Sequence, residues 1–166
     1  TRFEEAYTDP CSDIGQLDVS SGWKPIPPGS DPGITWPRHV FEQVLGLKTL
    51  ARPHGALFEY RSIETEVLGF CMERAAGKRL AQIVSDEIWS PMGAEESASF
   101  TVDCAGSALA DGGFNACLRD YARVGLLYLQ NGGGIIPPAW VEATRNGNHA
   151  IFGGRYHETL PDRKSV

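Results

Sequence analysis

Ala56-Leu57-Phe58-Glu59-Tyr60-Arg61-Ser62-Ile63-Glu64-Thr65-Glu66-Val67-Leu68-Gly69-Phe70-Cys71-Met72 reads as a loop that runs into an amphipathic helix. The apolar positions Leu68, Cys71, Met72 and Ala75 recur at helical spacing. Ser62 suits the N-cap, because a short hydroxyl can accept from amides of the first turn, and Glu64 lies favourably against the helix dipole. With Gly77 as left-handed stop, the helix is predicted over residues 63–76. Tyr60 therefore stands just outside a rigid element, with a small hydroxyl two positions on. A phenol held there can pass a proton between a nucleophile and a leaving group if a cation lowers its pKa from about 10. The same tyrosine can also be interfacial, its ring packed on the helix start.

Outward from this helix the pattern stays mainly helical. Upstream, residues 1–36 are rich in Pro, Gly and Asp and read as a long surface loop interrupted by a helical turn over residues 12–17. Pro37 suits the first position of a helix to about Lys48, with Val40, Phe41, Val44, Leu45 and Leu47 inward. Downstream, residues 79–89 put Leu80, Ile83, Val84 and Ile88 on one side, and Pro91 ends that helix. Phe100, Val102 and Cys104 alternate as a short strand, and Asp111-Gly112-Gly113 is a turn that can bring amides close to a ligand or simply reverse the chain. Residues 117–130 are predicted to be a buried helix with Leu118, Tyr121, Ala122, Gly125 and Leu129 inside and Arg119 and Arg123 on the wetter side. Gly125 would allow close helix approach, and a short helix follows over residues 139–144. Leu68, Met72, Leu80, Val84, Leu118 and Leu129 are expected among the most buried side chains. The tail from Asn146 is mixed in composition and resolves to no regular element.

Phe58 to Phe70 resembles the Tyr-x-Ser/Asn segment of the class C β-lactamase-like serine hydrolases, a family of β-lactamases, D-alanyl-D-alanine peptidases, esterases and 6-aminohexanoate-oligomer hydrolases. The likeness continues through Gly77 to Ala81, Ile88-Trp89-Ser90-Pro91-Met92-Gly93, Asp111 to Ala116, and Arg119-Asp120-Tyr121-Ala122-Arg123-Val124-Gly125, in the family's order. Upstream, Arg2 to Asp13 is similar to the segment that carries a second active-site tyrosine in the aminohexanoate-oligomer branch. The resemblance implies an α+β parent of which this chain is the helical lobe with little strand. It implies Tyr60 and Ser62 as catalytic residues, Tyr60 moving the nucleophile's proton and Ser62 hydrogen-bonding the lysine or the substrate. It implies Tyr7 as a substrate-binding residue touching the scissile bond. Asp18, a similar distance beyond it, is a candidate to face an ammonium end of the substrate, or is simply solvated.

The family's Ser-x-x-Lys nucleophile motif is expected upstream of the tyrosine, and its third motif near the C-terminus. The literal match Ser21-Gly22-Trp23-Lys24 is followed by Pro25, Pro27 and Pro28, which deny it a helix, so it reads as a coincidence. The chain opens Thr-Arg-Phe without Met and stops at Ser165-Val166, so residues 1–166 are expected to form a partial hydrolase domain, loop-rich over 1–36 and helical over 37–145. The expected activity of the parent is cleavage of amide or ester bonds of small molecules through an acyl-enzyme. The alternative is a catalytically silent relative that binds peptidoglycan-like or peptide ligands.

A hydrophobic share of 42% with 22% charged residues allows a buried core. The formal charge of −6 with scattered basic residues argues against nucleic acid and anionic bilayers as partners. No run approaches the roughly 20 apolar residues of a membrane span. Cys11, Cys71, Cys104 and Cys117 have no metal or redox spacing, so no metal and no cofactor is expected, and Cys71 is placed on a buried stripe. Unpaired thiols lean toward a cytoplasmic location, with a periplasmic one still open. His39, His54, His149 and His157 make no metal spacing. The expected partner is a small-molecule amide or ester, and the oligomeric state stays open.

Overall fold

The computed structural model describes residues 2–147. The chain divides into two compact units. The first comprises Thr1–Arg52, Arg61–Leu80 and Ser99–Asn115, the second Pro53–Tyr60, Ala81–Ala98 and Ala116–Val166. Secondary structure is mainly α, with a two-stranded antiparallel sheet in the first unit. Among the described residues no helix is long and apolar enough to cross a membrane.

In the first unit, α1 (Asp13–Ser20) is a full helix rather than a single turn. Ser12 caps it by accepting from the Gly15 amide, and Asp13 sits in its first turn. Next come α2 (Val40–Gly46), shorter than predicted, and α3 (Ser62–Ala76), which ends at Gly77 with φ of 65°. Phe3, Ile14, Leu17, Val40, Ile63 and Leu109 form the core, flanked by Val44, Leu47 and Phe70. Full burial of each such side chain contributes about 1.5–3 kcal/mol. Two buried polar groups join α1 to α2: the Ser20 hydroxyl donates to Gln43 Oε1 at 2.9 Å, and Gln43 Nε2 donates to the Asp13 carbonyl at 2.8 Å. Strands β1 (Ser99–Phe100) and β2 (Phe114–Asn115) pair Ser99 with Asn115 and Phe100 with Phe114, whose rings lie 4.9 Å apart.

The inner face of α3 differs from the predicted stripe. Ser62, Ile63, Glu66 and Gly69 are buried, whereas Leu68, Cys71 and Met72 are exposed. Close packing on a small residue accompanies this face: a Cβ on Gly69 would lie 3.1 Å from the Ala110 Cβ, so the helix approaches the Ala110 segment through a glycine. Likewise in α2 Val40 and Gln43 are buried, and Phe41 and Leu45 are exposed.

In the second unit, a π-helical turn (Ser85–Trp89) continues α4 (Leu80–Val84), which itself starts in the first unit. Leu80 and Trp89 are buried and Val84 half-buried. The Trp89 Nε1 donates to the Glu96 carbonyl at 2.9 Å, which closes the turn that runs through Pro91, where the sequence predicts the helix to end. Helices α5 (Leu118–Leu129) and α6 (Pro138–Asn146) follow, and Val141 of α6 is fully buried. Here too the predicted stripe is rotated. Leu118 and Leu129 are 85% and 80% exposed, and Asp120 and Leu127 are buried. The Asp120 carboxylate sets that rotation by accepting from the Glu95 and Glu96 amides at 3.0 and 3.1 Å. Arg123, predicted on the wet side, follows Asp120 inward and bonds its carboxylate at 2.6 Å, while Glu95 holds both Arg123 and Arg119. Gly125 has open space about it, so no close helix approach occurs there. His149 and His157 and most of the tail from Asn146 lie outside the described residues.

Candidate active site

Three of the four residues singled out from sequence come together in the first unit. The Tyr7 hydroxyl lies 3.4 Å from Ser62 Oγ, and Tyr7 and Asp18 line one cavity of about 120 Å³. Lys24, Thr8, Pro25 and Pro27 complete much of its wall. Whole-ligand pockets run to about 300–1,000 Å³, so this cavity has room for the end of a chain and not for a complete substrate. Tyr60, the fourth, is half-buried in the extended approach to α3 and belongs to the second unit.

Ser62 is the first helical residue and not the N-cap, which is Arg61 with extended backbone and no side-chain cap bond. The capping group comes from far along the chain. Glu5 Oε1 accepts from the Ser62 amide at 2.5 Å, and Glu5 Oε2 accepts from the Ser62 hydroxyl at 3.3 Å. A carboxylate there satisfies an otherwise unpaired amide and complements the helix dipole. The Arg61 guanidinium adds a bond to the Phe3 carbonyl. A hydroxyl has one proton, and in the Ser62 to Glu5 contact it is spent on the carboxylate, so in the Tyr7 contact Ser62 Oγ accepts and the phenol donates. The resulting direction is Tyr7 to Ser62 to Glu5.

One turn further along α3, Glu66 is 1% exposed, and its Oε1 accepts from the Asp111 amide at 2.9 Å. Burial first, and then the Asp111 carboxyl beside it, push Glu66 up to about 8. Burial also raises Asp111, against the hydrogen bond it receives from Glu66, while the nearby Asp18 charge adds to the rise. At neutral pH Glu66 therefore keeps the shared proton and donates to Asp111. This fastens the Asp111-Gly112-Gly113 turn to α3. The glycines are architectural: a Cβ on Gly113 would lie 2.6 Å from both the Leu109 carbonyl oxygen and Thr101 Oγ1, and one on Gly112 2.9 Å from the Trp23 ring.

The Ser21–Lys24 match dissolves on inspection. Ser21 caps the C-terminus of α1, buried, with its hydroxyl donating to the Asp18 carbonyl at 3.0 Å. The Lys24 ammonium bonds Asp18 Oδ2 at 2.6 Å. Neither serine nor lysine is arranged as nucleophile and base.

Sequence reasoning missed Glu5, Lys24 and the Glu66–Asp111 pair. A carboxyl interrupting the stripe Ile63, Glu66, Gly69, Phe70 was a readable sign of a buried charge with a partner. Glu5 left no such sign, because its partner lies 57 residues away. Among the described residues no group of three or more His, Cys, Asp and Glu side chains is arranged to hold a metal ion.

The chain has the fold of part of a β-lactamase-like hydrolase, as its likeness to a solved structure shows. The model of the beta-lactamase family matches residues 17–155, and the chain belongs to that family. It is 33% identical over 151 residues to the 6-aminohexanoate-dimer hydrolase of Paenarthrobacter ureafaciens, covering 87% of this chain and 36% of that protein. It also superposes with a TM-score of 0.73 and 31% identity on a solved Bacillus anthracis protein provisionally named a 6-aminohexanoate-dimer hydrolase, over 90% of this chain and 39% of that one. The chain thus spans well under half the length of either relative.

Proposed function

We propose that the full-length protein of which this chain is the helical lobe is a serine hydrolase that cleaves amide or ester bonds of small molecules through an acyl-enzyme. The observation that carries the reading is that Tyr7 contacts Ser62 and shares one cavity with Asp18, within a chain of the beta-lactamase family. In this reading the nucleophilic serine and its lysine lie outside these 166 residues. Tyr60 accepts the serine proton and returns it to the leaving amine or alcohol. Ser62, held by Glu5, keeps a hydroxyl at the start of α3, where the lysine or the substrate can bond it. Tyr7 and Asp18 line the place for one end of the substrate. The names of both relatives favour amides of the aminohexanoate type among the substrates to be tried.

The test is turnover by the purified full-length protein of p-nitrophenyl acetate, nitrocefin and the linear 6-aminohexanoate dimer, with mass-spectrometric trapping of an acylated serine by a fluorophosphonate. Turnover of at least one substrate together with a single labelled serine is expected. Absence of both turnover and labelling sinks the proposal.

A further inference from the structure

We infer that Lys24 is the built-in cationic occupant of the Asp18 carboxylate, so that the Tyr7–Asp18 cavity accepts an uncharged substrate end in preference to an ammonium. The inference rests on the reading of that cavity as a substrate subsite. Asp18 alone would look like a receptor for a cation, since its side chain is only 16% exposed and lines a cavity with room for a chain end. The carboxylate is not available on those terms. Lys24 Nζ sits 2.6 Å from Asp18 Oδ2 and itself lines the same cavity.

An exposed lysine usually samples many rotamers, and its ion pair counts for little. Lys24 differs in how its backbone is held. The Asp18 carbonyl, at the end of α1, accepts from the Trp23 amide at 2.9 Å, the Lys24 amide at 3.0 Å and the Ser21 hydroxyl at 3.0 Å. The chain reverses at Gly22 with φ of 82°, a conformation glycine adopts without strain. The Trp23 ring lies against Gly112, in the turn that Glu66 fastens to α3. The loop is therefore anchored, through the two amides immediately ahead of Lys24's own α-carbon, to the residue its ammonium neutralises. A substrate ammonium must displace a tethered competitor, and displacement gains no net charge pairing. An uncharged group meets a pocket that is already neutral.

The experiment measures selectivity by binding, so it needs no turnover. Calorimetric or NMR titration of the full-length protein uses two probes of equal length, n-hexylammonium and hexan-1-ol. Wild type should bind the ammonium no more tightly than the alcohol. In Lys24→Met the preference should shift toward the ammonium by about tenfold, the scale of one partly buried charge-assisted pair. Lys24→Arg should keep the wild-type ratio, and Asp18→Asn/Lys24→Met should abolish the gain. Thermal unfolding of each variant confirms that the fold persists, and Lys24→Gln serves in place of Lys24→Met should the latter not fold. An unchanged ratio in Lys24→Met, an equal gain in the double variant, or no binding of either probe overturns the inference. A protein that hydrolyses nothing but shows the shift refutes the hydrolase reading while the role of Lys24 in the charge selectivity of the cavity stands.

Discussion

Replacing Glu66 by Gln removes a titration that the fold has pushed far from its usual place. Glu66 is held at about 8 against 4.5 in its ordinary state. Between those two values the folded protein binds a proton that the unfolded chain has released, so stability falls as pH rises through that window. The contribution is fully present below about 4.5 and is lost as the pH passes through 8. At about 1.4 kcal/mol per unit the whole interval corresponds to at most about 5 kcal/mol, and relaxation of the site on ionisation reduces what is expressed to about 2–3 kcal/mol. Burial decides the sign first, and Asp111 beside it adds to the rise, because ionising Glu66 puts a second carboxylate against that one. Urea unfolding of the full-length protein at pH 5 to 9 should therefore show a decline in wild type that is largely absent in Glu66→Gln, whose amide still donates to Asp111 and accepts from its backbone. Parallel pH profiles for the two proteins would refute the assignment of the shared proton to Glu66.

Four further outcomes are expected. Tyr60→Phe should leave the unfolding midpoint nearly unchanged and lower kcat by about a hundredfold to ten-thousandfold with little change in KM, while near wild-type turnover would make the tyrosine structural. Ser21, whose hydroxyl is buried and already donates to the Asp18 carbonyl, should stay unlabelled by a fluorophosphonate in peptide mapping. Glu5→Ala removes the acceptor at the start of α3 and should cost about 1 kcal/mol, the size of a lost cap, in urea unfolding, with Glu5→Gln recovering part of it. The Cys117 thiol, the Glu95 and Glu96 amides and Arg123 hold Asp120 at about 2, so its contribution is present above the ordinary carboxyl range and lost as pH falls through 2. Asp120→Asn should lower the melting temperature at pH 7 and converge with wild type in strong acid.

Where the helices lie was legible; which way they face was not. The Gly77 stop and the proline-led start of α6 are local signals, and both stand in the structure. The inner faces of α3 and α5 are chosen by Glu66 and Asp120, whose partners at Asp111 and at Glu95 and Glu96 lie tens of residues away. A hydrophobic count sees those carboxyls as wet and turns each helix accordingly, so Leu68, Met72, Leu118 and Leu129 were assigned inward. Much the same holds for the candidate site. Resemblance points to Tyr7, Asp18 and Ser62, and the structure adds that Asp18 is paired with Lys24 from its own loop.

The attachments at the head of α3 also explain why Tyr7 and Ser62 meet at all. Phe3, Glu5 and Tyr7 lie two residues apart along one segment that turns at Tyr7, and that segment meets the head of α3 at consecutive residues: Arg61 on the Phe3 carbonyl, the Ser62 amide and hydroxyl on Glu5, and the Tyr7 phenol on Ser62 Oγ. Burial of Phe3 and Ile63 in one core supplies the apolar driving force, and the polar bonds fix the register. A slip of one residue along the segment would withdraw the Glu5 carboxylate from the Ser62 amide and carry Tyr7 away from Ser62 Oγ. Register and site are thus one structural fact: the contact that caps the helix is also the contact that sets the two hydroxyls at hydrogen-bonding range.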